Sequence, residues 1–226
     1  MNDVVIELAG AQLTLTGSGS LYWTEEALLC VSDLHLGKSE RIARRSGTML
    51  PPYECEDTLA RLEAELHTTD ARTVVCLGDS FDDRRAAEAL SENVRLWIAR
   101  LQAGRRWIWI EGNHDPGPMD LGGTHLGELS IGPLVFRHIA QDSATGEISG
   151  HYHPKAGLIA RGRKVSRRCF MWDAERLVMP AYGTYTGGLL WTDPALSRLF
   201  PGGAQAALLG DTVRAVPVPR AGAVSV

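Results

Sequence analysis

Apolar and polar positions change period along the chain, and each period predicts an element. VVIEL and QLTLT, on either side of Ala9-Gly10-Ala11, alternate as half-buried strands do and predict an opening hairpin. ALLCVS, from Ala27 to Ser32, is apolar almost throughout and reads as a buried strand. Beyond Pro51-Pro52, Leu59, Leu62 and Leu66 recur on one helical face. TVVCLG, Thr73 to Gly78, predicts the next strand. Ala86, Ala89, Leu90, Val94, Trp97, Ile98 and Leu101 then follow at helical spacing and predict one helix, ended by Gly104. RWIWI, Arg106 to Ile110, alternates again as a strand. The order strand–helix–strand–helix–strand predicts a mainly parallel sheet covered by helices.

The second half changes character. PLVFRH, EISGH, GLIA, CFMW and RLVM are short, strand-like and separated by turn residues, which predicts a second sheet with few helices. No internal repeat or low-complexity linker divides the halves. The expectation is an α/β fold, one domain over residues 1–226, of two packed sheets with helices outside. VRAVPVPRAGAVSV reads as an edge strand and a loose tail, the tail lying after about residue 211.

Composition narrows the function classes. Hydrophobic residues make up 44% of the 226, enough for a sizeable core. A net charge of −4 excludes a protein whose whole surface grips nucleic acid, so any basic contact must be a local patch. Cys30, Cys55, Cys76 and Cys169 form no CxxC pair, which argues against a zinc ribbon or disulfide framework and fits a reducing cytosol. MNDVVIELAG is no signal peptide and no apolar stretch has membrane-spanning length, so a cytoplasmic protein with no membrane partner is expected.

The chemistry-bearing residues stand just after the predicted strands: Asp33 and His35, Asp79 and Asp82, Asn113 to Asp115, His138, then His151 and His153. Carboxyl ends of parallel strands share one edge, where open α/β proteins place their sites. Candidate ligands are therefore Asp33, His35, Asp79, Asn113, His138, His151 and His153. Oxygens and imidazoles without a thiolate suit Mn²⁺, Fe or Zn²⁺ better than a soft metal. Seven ligands exceed the needs of one ion; if Asp79 bridges, they divide into four per ion. Any one of these histidines alone would read as a turn or surface residue. His138 ends an apolar strand while its rival His125 sits among glycines, which favours His138. His67 reads as a surface residue, and Asp115 as a residue that fixes its loop.

DxH, GDxxD, GNHD, a later His and GHxH, in that order from Asp33 to His153, resemble the calcineurin-like metallophosphoesterases. The resemblance implies a four-layer α/β/β/α sandwich of two mixed β-sheets. It implies that Asp33, His35, Asp79 and His153 hold one divalent ion, and that Asp79, Asn113, His138 and His151 hold a second. Mn²⁺ is the foremost expectation for this pair of cofactor ions, with Zn, Fe, Ni or Mg as alternatives. It places His114 beside the leaving group as a catalytic acid, held by Asp82. The flanks VSDLHLGKSERIARRSGTMLPP and LVMPAYGTYTGG are similar to bacterial ligase-associated DNA-damage-response endonucleases of the PdeM type. That similarity implies an endonuclease acting on DNA in end processing or repair, nucleoid-associated, with a DNA ligase, a helicase and an exonuclease as associated proteins. Two other readings stay open: a phosphoesterase of small nucleotides or lipid-linked diphosphates, and a non-catalytic module that binds repair partners.

Many relatives follow GDxxD with Arg or His, whereas Asp83 stands here, with Arg84 as a candidate substitute. Two basic runs, Lys38, Arg41, Arg44 and Arg45, and Arg161, Arg163, Lys164, Arg167 and Arg168, are either solvated faces or grips on a nucleic-acid backbone. Within them Lys38, Arg41, Arg161, Arg163 and Lys164 are the candidate DNA contacts. Tyr182, Tyr185 and Trp191 either stack on a base or belong to the core and rim.

Overall fold

Seven strands make the first sheet, in chain order, in the computed structural model, which describes residues 3–118, 120–142, 144–160 and 162–219. Strands β1 (Val4–Leu8), β2 (Ala11–Leu15), β3 (Leu21–Trp23) and β4 (Leu28–Val31) run antiparallel to one another. From β4 onward, β5 (Thr73–Leu77), β6 (Arg106–Ile110) and β7 (Thr124–Leu126) add in parallel. Helices α1 (Lys38–Ser46) and α2 (Glu54–Thr69) connect β4 to β5, and α3 (Arg84–Glu88) and α4 (Glu92–Gln102) connect β5 to β6.

The second sheet is also mixed. Strand β8 (Glu128–Ile131) pairs β9 (Leu134–Arg137), and β10 (Glu147–Ser149) lies parallel between β9 and β13 (Arg176–Val178). Strand β12 (Arg163–Trp172) joins β13 to β14 (Gln205–Leu208) and forms a hairpin with β11 (Lys155–Ala160); β15 (Arg214–Pro217) is the edge.

The two sheets pack face to face. Leu13, Leu28, Val75, Leu77 and Ile108 from one meet Leu134, Phe136, Ile148, Phe170 and Leu177 from the other. The alternate residues Val74 and Cys76 of β5 turn the opposite way, toward Leu59, Leu62 and Leu66 of α2 and Ile98 and Leu101 of α4. Both faces of the central strands are thus covered, so TVVCL shows an apolar run and no alternation. Behind the second sheet, Cys169, Met171 and Val178 are covered by Trp191, Leu199, Phe200 and the single turn α5 (Pro194–Ser197).

One expectation changes. The one helix expected over Ala86 to Leu101 is two, because Ser91 starts α4 afresh: its Oγ accepts the Val94 N–H at 3.4 Å, and Ala89 is exposed between the two. The basic run after His35 is the helix α1. Residues 214–217 pair with β14 as β15, the edge strand expected in VRAVPVP, and residues 220–226 lie outside the described residues.

Candidate metal centre

Strands β4, β5 and β6 are parallel neighbours, so Asp33, Asp79 and Asn113 leave the sheet at one edge. Strands β9 and β10 are likewise parallel, and the Gly150 N–H reaches the His138 carbonyl at 3.0 Å. His138, His151 and His153 therefore come off the second sheet facing the first. Nine described non-glycine residues have positive φ, and five are expected ligands: Asp33, His35, Asp79, His151 and His153, between 46° and 68°. That conformation costs about 1–2 kcal/mol per residue, so it persists only where the surroundings impose it.

Two groups of ligand atoms result, each within 4.8 Å mutually: Asp33, His35 and His153, and Asp79, His138 and His151. Asp33 Oδ1 lies 2.9 Å from His153 Nε2, while Asp33 Oδ2 accepts from Ser32 Oγ at 2.5 Å and from the His151 N–H at 3.0 Å. In the second group His138 Nε2 is 3.3 Å from Asp79 Oδ2, 3.3 Å from His151 Nδ1 and 3.0 Å from Asn113 Oδ1. Asp79 Oδ2 is also 3.9 Å from His35 Nε2, so this carboxylate stands between the groups.

These atoms fit cations better than they fit one another. His138 Nδ1 faces the Leu77 carbonyl at 3.1 Å, which can only accept, so Nδ1 carries the proton. The opposite nitrogen points at a carboxylate, an amide oxygen and a second imidazole; burial opposes a proton there, but the Asp79 carboxylate outweighs it and raises the His138 pKa, and a divalent ion would displace that proton. His35 Nε2 and His153 Nε2 are buried without an aligned hydrogen bond. Burial, chiefly, holds His35 below the usual imidazole range, so its ring is neutral. Burial opposes ionisation of Asp79, yet the His138 ring and the His114 N–H outweigh it and hold the carboxyl at about 2. Burial likewise opposes ionisation of Asp33, and His153 outweighs it, so that carboxyl too lies below its ordinary value. Ionised carboxylates beside imidazole lone pairs are what a divalent ion needs.

Asp115 ties the ligand loops together, as its position after GNH suggested. Its Oδ2 accepts the N–H groups of Ser80 at 2.7 Å and Phe81 at 3.1 Å, and its Oδ1 that of Gly112 at 3.1 Å. Burial, with the charge of Asp79, pushes it up to about 6 against those bonds. Gly112 is required by this contact: a Cβ there would lie 2.1 Å from the Asp79 nitrogen.

His114 donates its backbone N–H to Asp79 Oδ1 at 2.8 Å, and its ring Nδ1 contacts the backbone carbonyl of Asp82 at 2.8 Å. This corrects the expected part of Asp82, whose carboxylate does not hold His114. The carboxylate turns instead to His35 Nδ1 at 2.9 Å, Lys38 Nζ at 3.4 Å and the Arg41 guanidinium. The cause is α1. Residues 38, 41 and 44 share a helical face, and that face meets Asp82 and Asp83. Lys38 and Arg41, expected to grip DNA, are thereby paired with a buried carboxylate. Arg44 binds both oxygens of Asp83, at 3.1 and 3.0 Å, while Asp83 caps α3 through the Ala86 N–H. The guanidinium at the departure from GDxxD-Arg thus comes from Arg44; Arg84 points to solvent and pairs with Glu88. His35, Asp82 and His114 also lie close enough to share an ion, but Lys38 and Arg41 already balance Asp82.

The remaining candidates divide. His125 lies on β7, its ring stacked on Trp109 with centroids 6.4 Å apart, so the structure brings His138 to the edge in its place. His67 is exposed on α2. Tyr182 and Trp191 are core residues. Arg163 and Lys164 are exposed at the tip of the β11–β12 hairpin, and Arg161 lies outside the described residues. Ser32 was not anticipated, although its place directly before Asp33 was a signal.

Two mixed β-sheets flanked by helices, with an Asp, Asn and His cluster at the parallel strand ends, define a metal-dependent hydrolase of phosphoester bonds. The family model described as calcineurin-like phosphoesterase matches residues 27–175, more than half of the chain, and the chain belongs to that family. Over its length the chain is similar to the crystal structure of the nuclease MPE of Pseudomonas putida. Identity is 30%, covering 96% of this chain and 100% of that one, with a TM-score of 0.74. It is also similar to Yfce, a phosphoesterase from E. coli, at 12% identity over 85% of this chain and 99% of that one, with a TM-score of 0.41. No curated protein matches the chain. No helix among the described residues is long and apolar enough to cross a membrane.

Proposed function

We propose that the chain is a binuclear metal-dependent phosphodiesterase that cuts DNA, acting in end processing or repair. The observation that carries this reading is the likeness to a nuclease over 96% of the chain, with an Asp, Asn and His cluster at the strand edge. Asp33, His35, Asp79 and His153 would hold one ion, and Asp79, Asn113, His138 and His151 the other. Mn²⁺ is the first choice for an oxygen and imidazole set, with Zn, Fe, Ni or Mg also accommodated. When bound, the pair supplies positive charge for the phosphoryl oxygens and lowers the pKa of the attacking water.

The chain's own residues do the rest. Asp79 stands between the groups and sets their spacing. Asp115 and Gly112 hold the loops of Asp79 and Asn113 in register. The Asp82 carbonyl fixes Nδ1 of His114 as the donating end, so Nε2 faces the site, 4.0 Å from Asp79 Oδ2. Acting as the imidazolium, with a proton on each ring nitrogen, it gives the Nε2 proton to the leaving oxygen as the P–O bond breaks, and the ring is left neutral with Nδ1–H on the Asp82 carbonyl.

The test is hydrolysis of single- and double-stranded DNA, nucleotides and bis(4-nitrophenyl) phosphate, with Mn²⁺, Mg²⁺, Zn²⁺ or Ni²⁺. Cleavage of DNA at a kcat/KM above that of every small phosphoester is expected. Turnover of small phosphoesters with none of DNA would overturn the reading.

A further inference from the structure

A cleft of about 880 Å³ opens where the β11–β12 hairpin overhangs the start of α2 and the 183–186 loop. Four cations line it, Arg61, Lys155, Arg167 and Arg168, against one carboxylate, Asp57. Asp57 is already engaged, by Arg61 Nε at 3.3 Å and by Thr184 Oγ1 at 2.5 Å. Arg168 spends one nitrogen on the carbonyls of Ala181, Tyr182 and Gly183, at 2.9 to 3.3 Å. Lys155 and Arg167 have no carboxylate partner among the described residues.

Elsewhere several surface arginines sit beside carboxylates. Arg44 pairs with Glu40, Arg84 with Glu88, and Arg100 with Glu63, as a solvated face of mixed charge does. An excess of four cations over one carboxylate, in a chain of net charge −4, is a local field for an anion.

The cleft adjoins the metal centre through the backbone. Lys155 is two residues beyond His153, a Cα span of at most ~7 Å. On the opposite wall, the Gly183 N–H donates to the Asp33 carbonyl at 3.1 Å. Along β12 the two-residue period puts Arg168, Ser166 and Lys164 on one face and Arg167, Val165 and Arg163 on the other, and Arg167 and Arg168 both line the cleft, so basic residues run from it along both faces to the hairpin tip.

We propose that this cleft is a second phosphate site, which takes backbone phosphates of the nucleic-acid strand beside the scissile bond. Arg61 and Arg168 shape its floor, and Lys155 and Arg167 supply the free charge. The proposal rests on the DNA-cutting reading for its ligand, and the experiment keeps the two apart.

The probe is a fluorescein-labelled single-stranded 12-mer deoxyoligonucleotide. Anisotropy with the Mn²⁺-loaded protein, in a phosphorothioate form that resists cleavage, gives Kd against salt. The double variant Lys155→Ala and Arg167→Ala is expected to bind about 10-fold more weakly. Two lost phosphate contacts should flatten the plot of log affinity against log salt by about 1.4, at ~0.7 per contact for a single strand. Arg167→Lys should keep the wild-type slope. Arg167→Ala alone, at an exposed side chain, gives about half the effect should the double variant fold poorly. Wild-type affinity and slope in both alanine variants would overturn the site. Absence of DNA cleavage by the wild type would instead sink the DNA-cutting reading, and binding of the 12-mer still decides the cleft.

Discussion

Replacing Asp82 by Asn tests which neighbour its carboxylate serves. The side chain is wholly buried, and its partners His35, Lys38 and Arg41 are 3%, 16% and 18% exposed. Burial works against its ionisation, but these neighbours, led by His35, hold its carboxyl at about 2. Asn fills the same space without the charge, leaving two cations with little solvent and no counter-ion. Breaking such a pair costs about 3–5 kcal/mol when fully buried; the partial exposure of Lys38 and Arg41 brings this to about 3 kcal/mol. In a chain of this length that lowers Tm by about 6–12 °C. The His114 contact uses the main-chain carbonyl, which Asn retains. Activity should therefore fall by a similar factor on DNA and on bis(4-nitrophenyl) phosphate, through a displaced His35. Calorimetry and parallel kinetics on the two substrates make the measurement. An unchanged Tm with a loss confined to DNA would show that the carboxylate acts on His114, and the assignment would fail.

Asp79→Asn should deplete both ions, and Asp33→Asn mainly one; a single ion per fully active wild-type chain, by elemental analysis, would reject a bridging Asp79. His114→Ala should keep both ions yet slow cleavage of DNA by roughly 10²–10⁴-fold, with a smaller loss for nitrophenolate, which needs less protonation. If His114→Ala loses an ion and His138→Ala does not, the two histidines exchange roles. Mn²⁺ at about 1,000 times its Kd should stabilise the fold by about 4 kcal/mol over a chelated sample, raising Tm by ~8–16 °C, and equal Tm values would count against the site.

The elements that hold the site were legible because burial writes itself into periodicity. Strands β4, β5 and β6 are apolar runs since both faces are covered, and their ends are marked by the polar residues that follow. Helix α1 was not legible. KSERIARRS carries only Ile42 and Ala43 as apolar residues, so no stripe announces a helix. Its orientation is set by cations at 38, 41 and 44 meeting Asp82 and Asp83 from a distant loop. Strands β3 and β7, of three residues each, are too short to display a period. The break at Ser91 is a local cap inside a continuing apolar pattern. That Asp82 would orient His114 by its carbonyl was beyond sequence, because a backbone contact leaves no residue-type signature.

Five carboxylates crowd this edge, and the protein disposes of three by itself. Asp82 is matched by Lys38 and Arg41, Asp83 by Arg44 and a helix start, and Asp115 by three N–H groups. Asp33 and Asp79 have no Lys or Arg partner among the described residues and turn their oxygens to His153 and His138, each from a residue in the left-handed backbone conformation. That pairing separates the two proposed ligand carboxylates from Asp82 and Asp83, whose charge is met by cations. It also has a consequence for substrate binding. Lys38, Arg41 and Arg44 of α1 balance Asp82 and Asp83, so these three have little charge left for a polyanion. A strand of DNA must find its counter-charge where cations are unmatched, and Lys155 and Arg167 in the neighbouring cleft meet that condition.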